Sequence, residues 1–139
     1  METYESGNHV YHTTMPTDAL KTLRNVMKET QSIGFEKLKA AQIDLGNKVR
    51  NLLVSRGFAS VAAPGFQSPC VVVSYTTDPE IQSGKKFINV GLQTAAGVPL
   101  QCDEGPEFRT FRLGLFGLEK LQNIDRTIKH LEHALNTMN

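Results

Sequence analysis

One arginine of the sequence, Arg112, has apolar neighbours on both sides, so its charge would need an anionic partner if it were buried. Arg112 lies between Phe111 and Leu113 in the alternating segment 108–116. Burying a guanidinium among apolar side chains is costly unless an anion meets it, and its planar fork suits bidentate binding of a carboxylate. Two interpretations stay open at this point: a structural ion pair and the binding of a ligand carboxylate. The alternation places Arg109 on the opposite face, where we expect a structural or solvated role.

A second group of hydrogen-bonding side chains comes just before a predicted helix. Tyr11, His12, Thr13 and Thr14 are followed by Pro16. Such side chains beside a helix start suit an anion such as phosphate. Threonine is also common in turns that bind nothing, so the cluster is equally typical of an ordinary turn.

Two further spacings resemble known chemistry but favour ordinary surface. His130 and His133 lie three apart, as metal ligands can, yet the apolar pattern of their helix places both toward solvent and no third ligand is suggested nearby. Ser83 and Lys86 match the Ser-x-x-Lys nucleophile pattern without its companion motifs. We predict no metal site and no serine nucleophile.

The two cysteines, Cys70 and Cys102, have no basic neighbour that would favour a reactive thiolate. Two cysteines do not form a disulfide framework, so a cytoplasmic location is predicted. The sequence also has no phosphate-binding loop and no dinucleotide fingerprint.

Length and charge narrow the class of protein. The chain has 139 residues, 40% of them hydrophobic, with 15 Lys+Arg, 14 Asp+Glu and a formal net charge of +1. This is enough apolar content for one folded domain. The charge balance indicates no nucleic-acid or acidic-membrane partner. We predict no spanning helix, because no apolar run approaches roughly 20 residues, and no signal peptide, because the first residues are polar.

The elements that would position these residues follow from periodicity. Residues 1–15 are predicted to be an arm or loop. A first helix begins with Thr17 as its N-cap and ends at Gly34. A second covers residues 35–56 and ends at Gly57, with Gln42 making its apolar face only partly buried. That face comprises Phe35, Leu38, Leu45, Val49 and Leu52.

The rest of the chain alternates strands and helices. Residues 70–75 predict a strand buried on both faces, 78–90 a weak helix, 92–100 a short strand and 108–116 an alternating strand. A final helix has its apolar stripe at Leu121, Ile124, Ile128, Leu131 and Leu135. This order predicts an α+β two-layer sandwich, a small and mostly antiparallel sheet with helices on one face.

Two of these segments resemble a known family. Tyr-His-Thr-Thr-Met-Pro at 11–16 and Phe-Arg-Leu-Gly-Leu-Phe-Gly at 111–117 are similar to the C-terminal third of class V aminotransferases. These are pyridoxal-phosphate enzymes of fold type I, and the alanine–glyoxylate and serine–glyoxylate (serine–pyruvate) aminotransferases are the most similar. The similarity spans nearly the whole chain, including the Ala-Ala-Pro-Gly-Phe loop and the Asn-Ile-Asp-Arg helix.

The resemblance implies roles for three residues. Arg112 would bind the α-carboxylate of a small amino-acid or keto-acid substrate. Tyr11 and Thr14 would reach the cofactor phosphate of the partner subunit in a dimer, and His12 and Thr13 receive no role. Residues 1–33 would be an arm and helix belonging with a large domain, and 34–139 the C-terminal small domain.

The sequence departs from the family in one essential respect. No lysine matches the motif of the Schiff-base lysine: Lys21 and Lys28 lie in the first helix, and Lys85 and Lys86 in the small-domain segment. Transamination needs that lysine to hold the cofactor and move a proton. We therefore expect an inactive piece of an enzyme that lacks its large domain and does not hold pyridoxal phosphate covalently.

The alternative is a non-catalytic module, a stand-alone α+β domain that self-associates or binds a partner protein. Exposed apolar residues of the first helix, Leu20, Leu23 and Met27, would favour a homo-oligomer in either case.

Overall fold

Seven helices and three strands follow one another in the computed structural model, which describes residues 2–9 and 14–138. The chain divides between Ile33 and Gly34 into two compact units. The elements are α1 (Glu2–Glu5), α2 (Thr17–Ile33), α3 (Phe35–Ser55), β1 (Val71–Tyr75), α4 (Pro79–Gln82), α5 (Lys85–Asn89), β2 (Ala95–Ala96), β3 (Thr110–Gly114), α6 (Leu118–Gln122) and α7 (Ile124–Thr137).

The first unit is helical. The prediction of an arm or loop over residues 1–15 is wrong at α1, which forms one helical turn. The helix α2 already includes Thr17, so this residue is the first helical position and not the N-cap. Gly34 ends α2 as predicted, with a φ of 98° that glycine adopts without strain. None of the side chains of α2 is buried.

The second unit is built on α3, whose buried face confirms the predicted stripe at Leu38, Leu45 and Val49 but not at its two ends. Leu45, Val49 and Leu53 are fully buried, whereas Leu52 is half-buried and Phe35 is 67% exposed. The steps of four residues from Leu45 follow the 3.6-residue period, which turns Leu53 rather than Leu52 toward the core.

Two polar residues of α3 are also drawn into the fold. Gln42 donates from Nε2 to the carbonyls of Pro69 (2.9 Å) and Leu115 (3.3 Å), so the partly buried face predicted around it is confirmed. Arg50 is 7% exposed and donates from Nη2 to Ser68 O (2.9 Å), but its buried Nε has no partner. Desolvation lowers the pKa of Arg50.

The sheet is antiparallel with the order β1-β3-β2, so β3 is its central strand. Arg112 pairs with Val73 on one side and with Ala95 on the other. The segment 59–61 extends the free edge of β1, where Val61 N donates to Val73 O (3.0 Å) and Tyr75 N donates to Ala59 O (2.9 Å).

The two faces of this sheet differ sharply. The helical face is buried, with Val72 and Ser74 of β1 beside Phe111 and Leu113 of β3. The opposite face, which we call the open face, carries Tyr75, which is 42% exposed. The prediction that β1 is buried on both faces is therefore wrong, because helices cover only one face. The predicted α+β class and one-sided helical layer are confirmed.

Aromatic rings fill the centre of the helical side. Phe111 is fully buried, with ring centroids 5.2 Å from Phe58 in an edge-on contact and 5.4 Å from Phe87. The predicted final helix is interrupted at Asn123, which separates α6 from α7. Within the described residues, none of the helices combines the length and apolar character needed to cross a bilayer.

Candidate functional site

Arg112 lies in the middle of the central strand on the open face. Its neighbours Phe111 and Leu113 turn into the core on the helical face, as the alternation predicted. The side chain of Arg112 itself is only half-buried. The apolar neighbours that made Arg112 look buried in the sequence therefore lie on the other side of the sheet.

The guanidinium of Arg112 is held at one nitrogen. Its Nε donates to the carbonyl of Ala96 on β2, at 3.0 Å. Among residues 2–9 and 14–138, no carboxylate lies within ion-pairing distance of this side chain. The bond at Nε restricts the plane of the fork and leaves Nη1 and Nη2, which can bind a carboxylate end-on with two parallel hydrogen bonds.

The surroundings of Arg112 on the open face are small or aromatic. Ala95 and Val73 are its cross-strand neighbours, and Gly114 follows two residues along the strand. A Cβ added at Gly114 would lie 3.4 Å from the ring of Phe116, which is 60% exposed. Phe116 therefore presents an exposed aromatic ring close to Gly114, two residues along the strand from Arg112.

A glycine that sequence reasoning did not single out positions the carbonyl that holds Arg112. A Cβ on Gly97 would lie 1.8 Å from the carbonyl oxygen of Thr110, so only glycine permits this approach. Gly97 N also donates to Gln82 O at 3.1 Å. Because Gly97 directly follows Ala96, it fixes β2 against β3. Glycine inside a strand pattern often marks such a close backbone approach, and that indication was present in the sequence.

A carboxylate anchors the long loop between β2 and β3. Glu104 accepts hydrogen bonds from the backbone amides of Leu100, Gln101 (2.9 Å) and Cys102 (2.7 Å). These bonds lower the pKa of Glu104 to about 2, since they favour its charged form. Gln101 and Asp103 adopt φ values of 59° and 60° in this turn. Glu104 therefore orders the loop that leads into β3.

Arg109 differs from Arg112 in having a carboxylate partner. Its Nη1 lies 2.7 Å from Oε2 of Glu107, and this ion pair lowers the pKa of Glu107. The Glu107 side chain is 85% exposed, so the expectation of a structural or solvated role for Arg109 keeps both alternatives.

The candidate phosphate contacts belong to the first unit. Tyr11 lies outside the described residues, as do His12 and Thr13. Thr14 is described and exposed just before α2. The roles of Tyr11 and Thr14 stay predictions.

The lysines of the small-domain segment are held by carboxylates. Lys85 Nζ lies 2.7 Å from Glu80 Oε1, and Lys86 Nζ lies 2.6 Å from Asp78 Oδ2. Hydrogen bonds to these carboxylates raise the pKa of both lysines. A lysine that attaches a carbonyl cofactor needs the neutral amine and hence a lowered pKa. Lys85 and Lys86 therefore do not fit covalent attachment of pyridoxal phosphate.

Ser83 forms no nucleophile pair with Lys86. Its hydroxyl donates to Glu80 O at 3.2 Å, while the Lys86 ammonium is bound by Asp78. His130 and His133 are both exposed on α7, as predicted. The residues that the structure describes contain no group of three His, Cys, Asp or Glu able to hold a metal ion.

Two comparisons, with models of known families and with curated proteins, identified no relative. No model of a known protein family matches the chain. No significant match to a curated protein is found either.

Proposed function

We propose that this chain is the substrate-carboxylate-binding portion of a class V, pyridoxal-phosphate-dependent aminotransferase that transfers an amino group from a small amino acid to glyoxylate or pyruvate. The observation that carries the proposal is the placement of Arg112 on the open face, with Nε held by Ala96 and no carboxylate partner among the described residues. The resemblance of the segments 11–16 and 111–117 to that family, the second of which contains Arg112, also supports it.

In this proposal Arg112 binds and orients the substrate. The bond from Nε to Ala96 O holds the guanidinium plane before a ligand arrives, so less side-chain freedom is lost on binding. The two terminal nitrogens bind the two oxygens of the carboxylate.

The proposal assigns the lysine-dependent steps of transamination to a part of the enzyme other than this chain. Because Lys85 and Lys86 are ion-paired and protonated, the proposal gives this chain substrate binding and not turnover. A large domain carrying the cofactor and its lysine, in a dimer, would complete the enzyme. Both cysteines are free, which agrees with the cytoplasmic location proposed here.

Substrate binding is tested by titrating the full chain with pyruvate and following the backbone amide signals of β2 and β3. We expect saturable shifts with a millimolar dissociation constant. Arg112→Gln should weaken binding about tenfold or more, because hydrogen bonds to a charged group are lost. Arg109→Gln removes the same charge from a residue paired with Glu107 and should bind pyruvate as the unaltered chain does. Equal binding by both variants would refute the role of Arg112.

Cofactor retention is a separate test. After incubation with pyridoxal phosphate and exhaustive dialysis, the chain should keep no visible absorbance and show no transaminase turnover. Retained colour that disappears on replacement of one lysine would show that this chain holds the cofactor itself, and would overturn the division of labour proposed above.

The alternative, a non-catalytic module that self-associates, is favoured by one observation. The core cluster lies entirely within residues 45–135 of the second unit, so this unit has an apolar interior of its own. Self-association through α2 would cover Leu23 and Met27, which are 56% and 62% exposed.

Light scattering over a range of concentrations tests the alternative. A dimer that Leu23→Lys dissociates, and that the control Asn25→Lys leaves intact, would support self-association through α2. A monomer at every concentration would exclude this interface.

A further inference from the structure

A cleft of about 190 Å³ lies where the end of β3 meets the helices α6 and α7. Its floor is part of the core: Val49 is fully buried, and Leu113 and Leu131 are each 7% exposed. Leu92 and Leu115 add further apolar surface. A dry cavity of about 150 Å³ with similar walls holds a benzene molecule. The floor therefore suits a flat apolar group of that size.

The rim of the cleft carries two cations and one carboxylate. Lys120 and Arg126 line it, and Glu119 is the single carboxylate among its lining residues. Glu119 is already paired with Arg126. Lys120 donates to the uncharged carbonyl of Phe116 at 3.0 Å and has no carboxylate partner within the described part of the chain. The positive charge of Lys120 is therefore not neutralised, and it favours an anion at the mouth.

We propose that this cleft binds a small organic monocarboxylate whose apolar body is about the size of a benzene ring. The ring rests on Leu113, Leu115 and Leu131, while the carboxylate lies toward Lys120. The site does not depend on the function proposed for Arg112. The side chains of its floor lie on the helical face of the sheet, whereas Arg112 lies on the open face.

Benzoate is the probe for this site. We expect a titration of the full chain to give saturable amide shifts at Thr94 and Leu115, and at Thr127 and Leu131 of α7. Benzyl alcohol keeps the ring without the charge and should bind about threefold more weakly or worse. Shifts that do not saturate, or equal affinity for the two probes, would overturn the proposal.

Two variants and a matched control test the site. Lys120→Gln should weaken benzoate binding about threefold, while Lys129→Gln removes the same charge from an exposed residue of α7 outside the lining and should leave affinity unchanged. Arg112→Gln should leave the α7 shifts intact. Equal effects of Lys120→Gln and Lys129→Gln, or loss of the α7 shifts in Arg112→Gln, would refute the site.

Discussion

The two faces of the sheet carry the same three strands but have opposite physical roles. On the helical face, Phe111 packs between Phe58 and Phe87 and is fully buried. On the open face, its neighbour Arg112 is half-buried, and neither of its terminal nitrogens has a carboxylate partner among the described residues. The two-residue alternation therefore separates the buried Phe111 from Arg112, for which we propose a binding role. Substitutions on the two faces should affect different observables.

Two arginines of the second unit have no carboxylate partner among the described residues, and they sharpen this contrast. Arg50 is buried on α3, with one bond to Ser68 O and an unpartnered Nε. Arg112 is open to solvent on one side and donates from Nε. Because Arg50 is buried without a carboxylate partner, its charge lowers the stability of the folded state. Arg112 is only partly buried, so its charge stays accessible to an anion.

The largest expected effect is on the helical face. Phe111→Ala should lower the free energy of unfolding by about 3–5 kcal/mol, because it removes a fully buried ring from an aromatic cluster. Arg112→Gln on the open face should change it by less than about 1 kcal/mol. Urea denaturation of both variants measures the difference. Similar losses for the two would show that the faces are not separated as described.

The next largest change in stability is expected at the close backbone contact between Gly97 and Thr110. Gly97→Ala should destabilise the fold by about 1–3 kcal/mol, because its Cβ would overlap the carbonyl of Thr110. Gly105→Ala is the matched control, since nothing lies within 4 Å of a Cβ there and its φ is not positive. Because Gly97 positions Ala96, the first variant should also weaken pyruvate binding. A neutral Gly97→Ala variant would contradict this geometry.

A smaller change in the free energy of unfolding, of opposite sign, is expected when Arg50 is replaced. Arg50→Met keeps most of the apolar volume and removes the buried charge, so its stability should be unchanged or higher by about 1 kcal/mol. Arg50→Ala also removes the packed methylenes and should be destabilising. Thermal unfolding of the pair separates charge from volume. Strong destabilisation by Arg50→Met would show that the guanidinium itself is needed.

The smallest effect concerns the loop before β3. The folded-state pKa of Glu104 is about 2, below its ordinary value of 4.5. Its contribution to stability is therefore complete above pH 4.5 and is lost as the pH falls through about 2. The amide signals of Gln101 and Cys102 should titrate with a midpoint near the lower value. A midpoint near 4.5, or no change in Glu104→Gln, would contradict the anchoring role.

The sequence was sufficient to predict the helices α2 and α3, the order of the three strands and the face of Arg112. Alternation in residues 108–116 separates Phe111 and Leu113 from Arg112 through a strictly local rule. It was insufficient to predict the half-buried face of β1, because four apolar residues in a row do not reveal how many layers cover a sheet. The break at Asn123 was also missed, since the apolar stripe continues in phase from Leu121 to Ile124.

The parts of the site that depend on distant pairs of residues were beyond sequence reasoning. The bond from Arg112 to Ala96 spans 16 residues, and the burial of Arg50 follows from the loop around Ser68. No periodic pattern in the sequence predicts either contact. Gly97 is intermediate, since its type indicated a close backbone approach while its partner Thr110 required the structure.

The central claim is that the terminal nitrogens of Arg112 bind a substrate carboxylate while Nε stays with Ala96. Side-chain nitrogen NMR of the full chain during a pyruvate titration tests it most directly. We predict saturable changes at Nη1 and Nη2 of Arg112, a nearly constant Nε–H signal, and no response from the guanidinium of Arg109. Unchanged Arg112 signals at pyruvate concentrations that shift the backbone of β3, or equal responses from Arg109 and Arg112, would contradict the account.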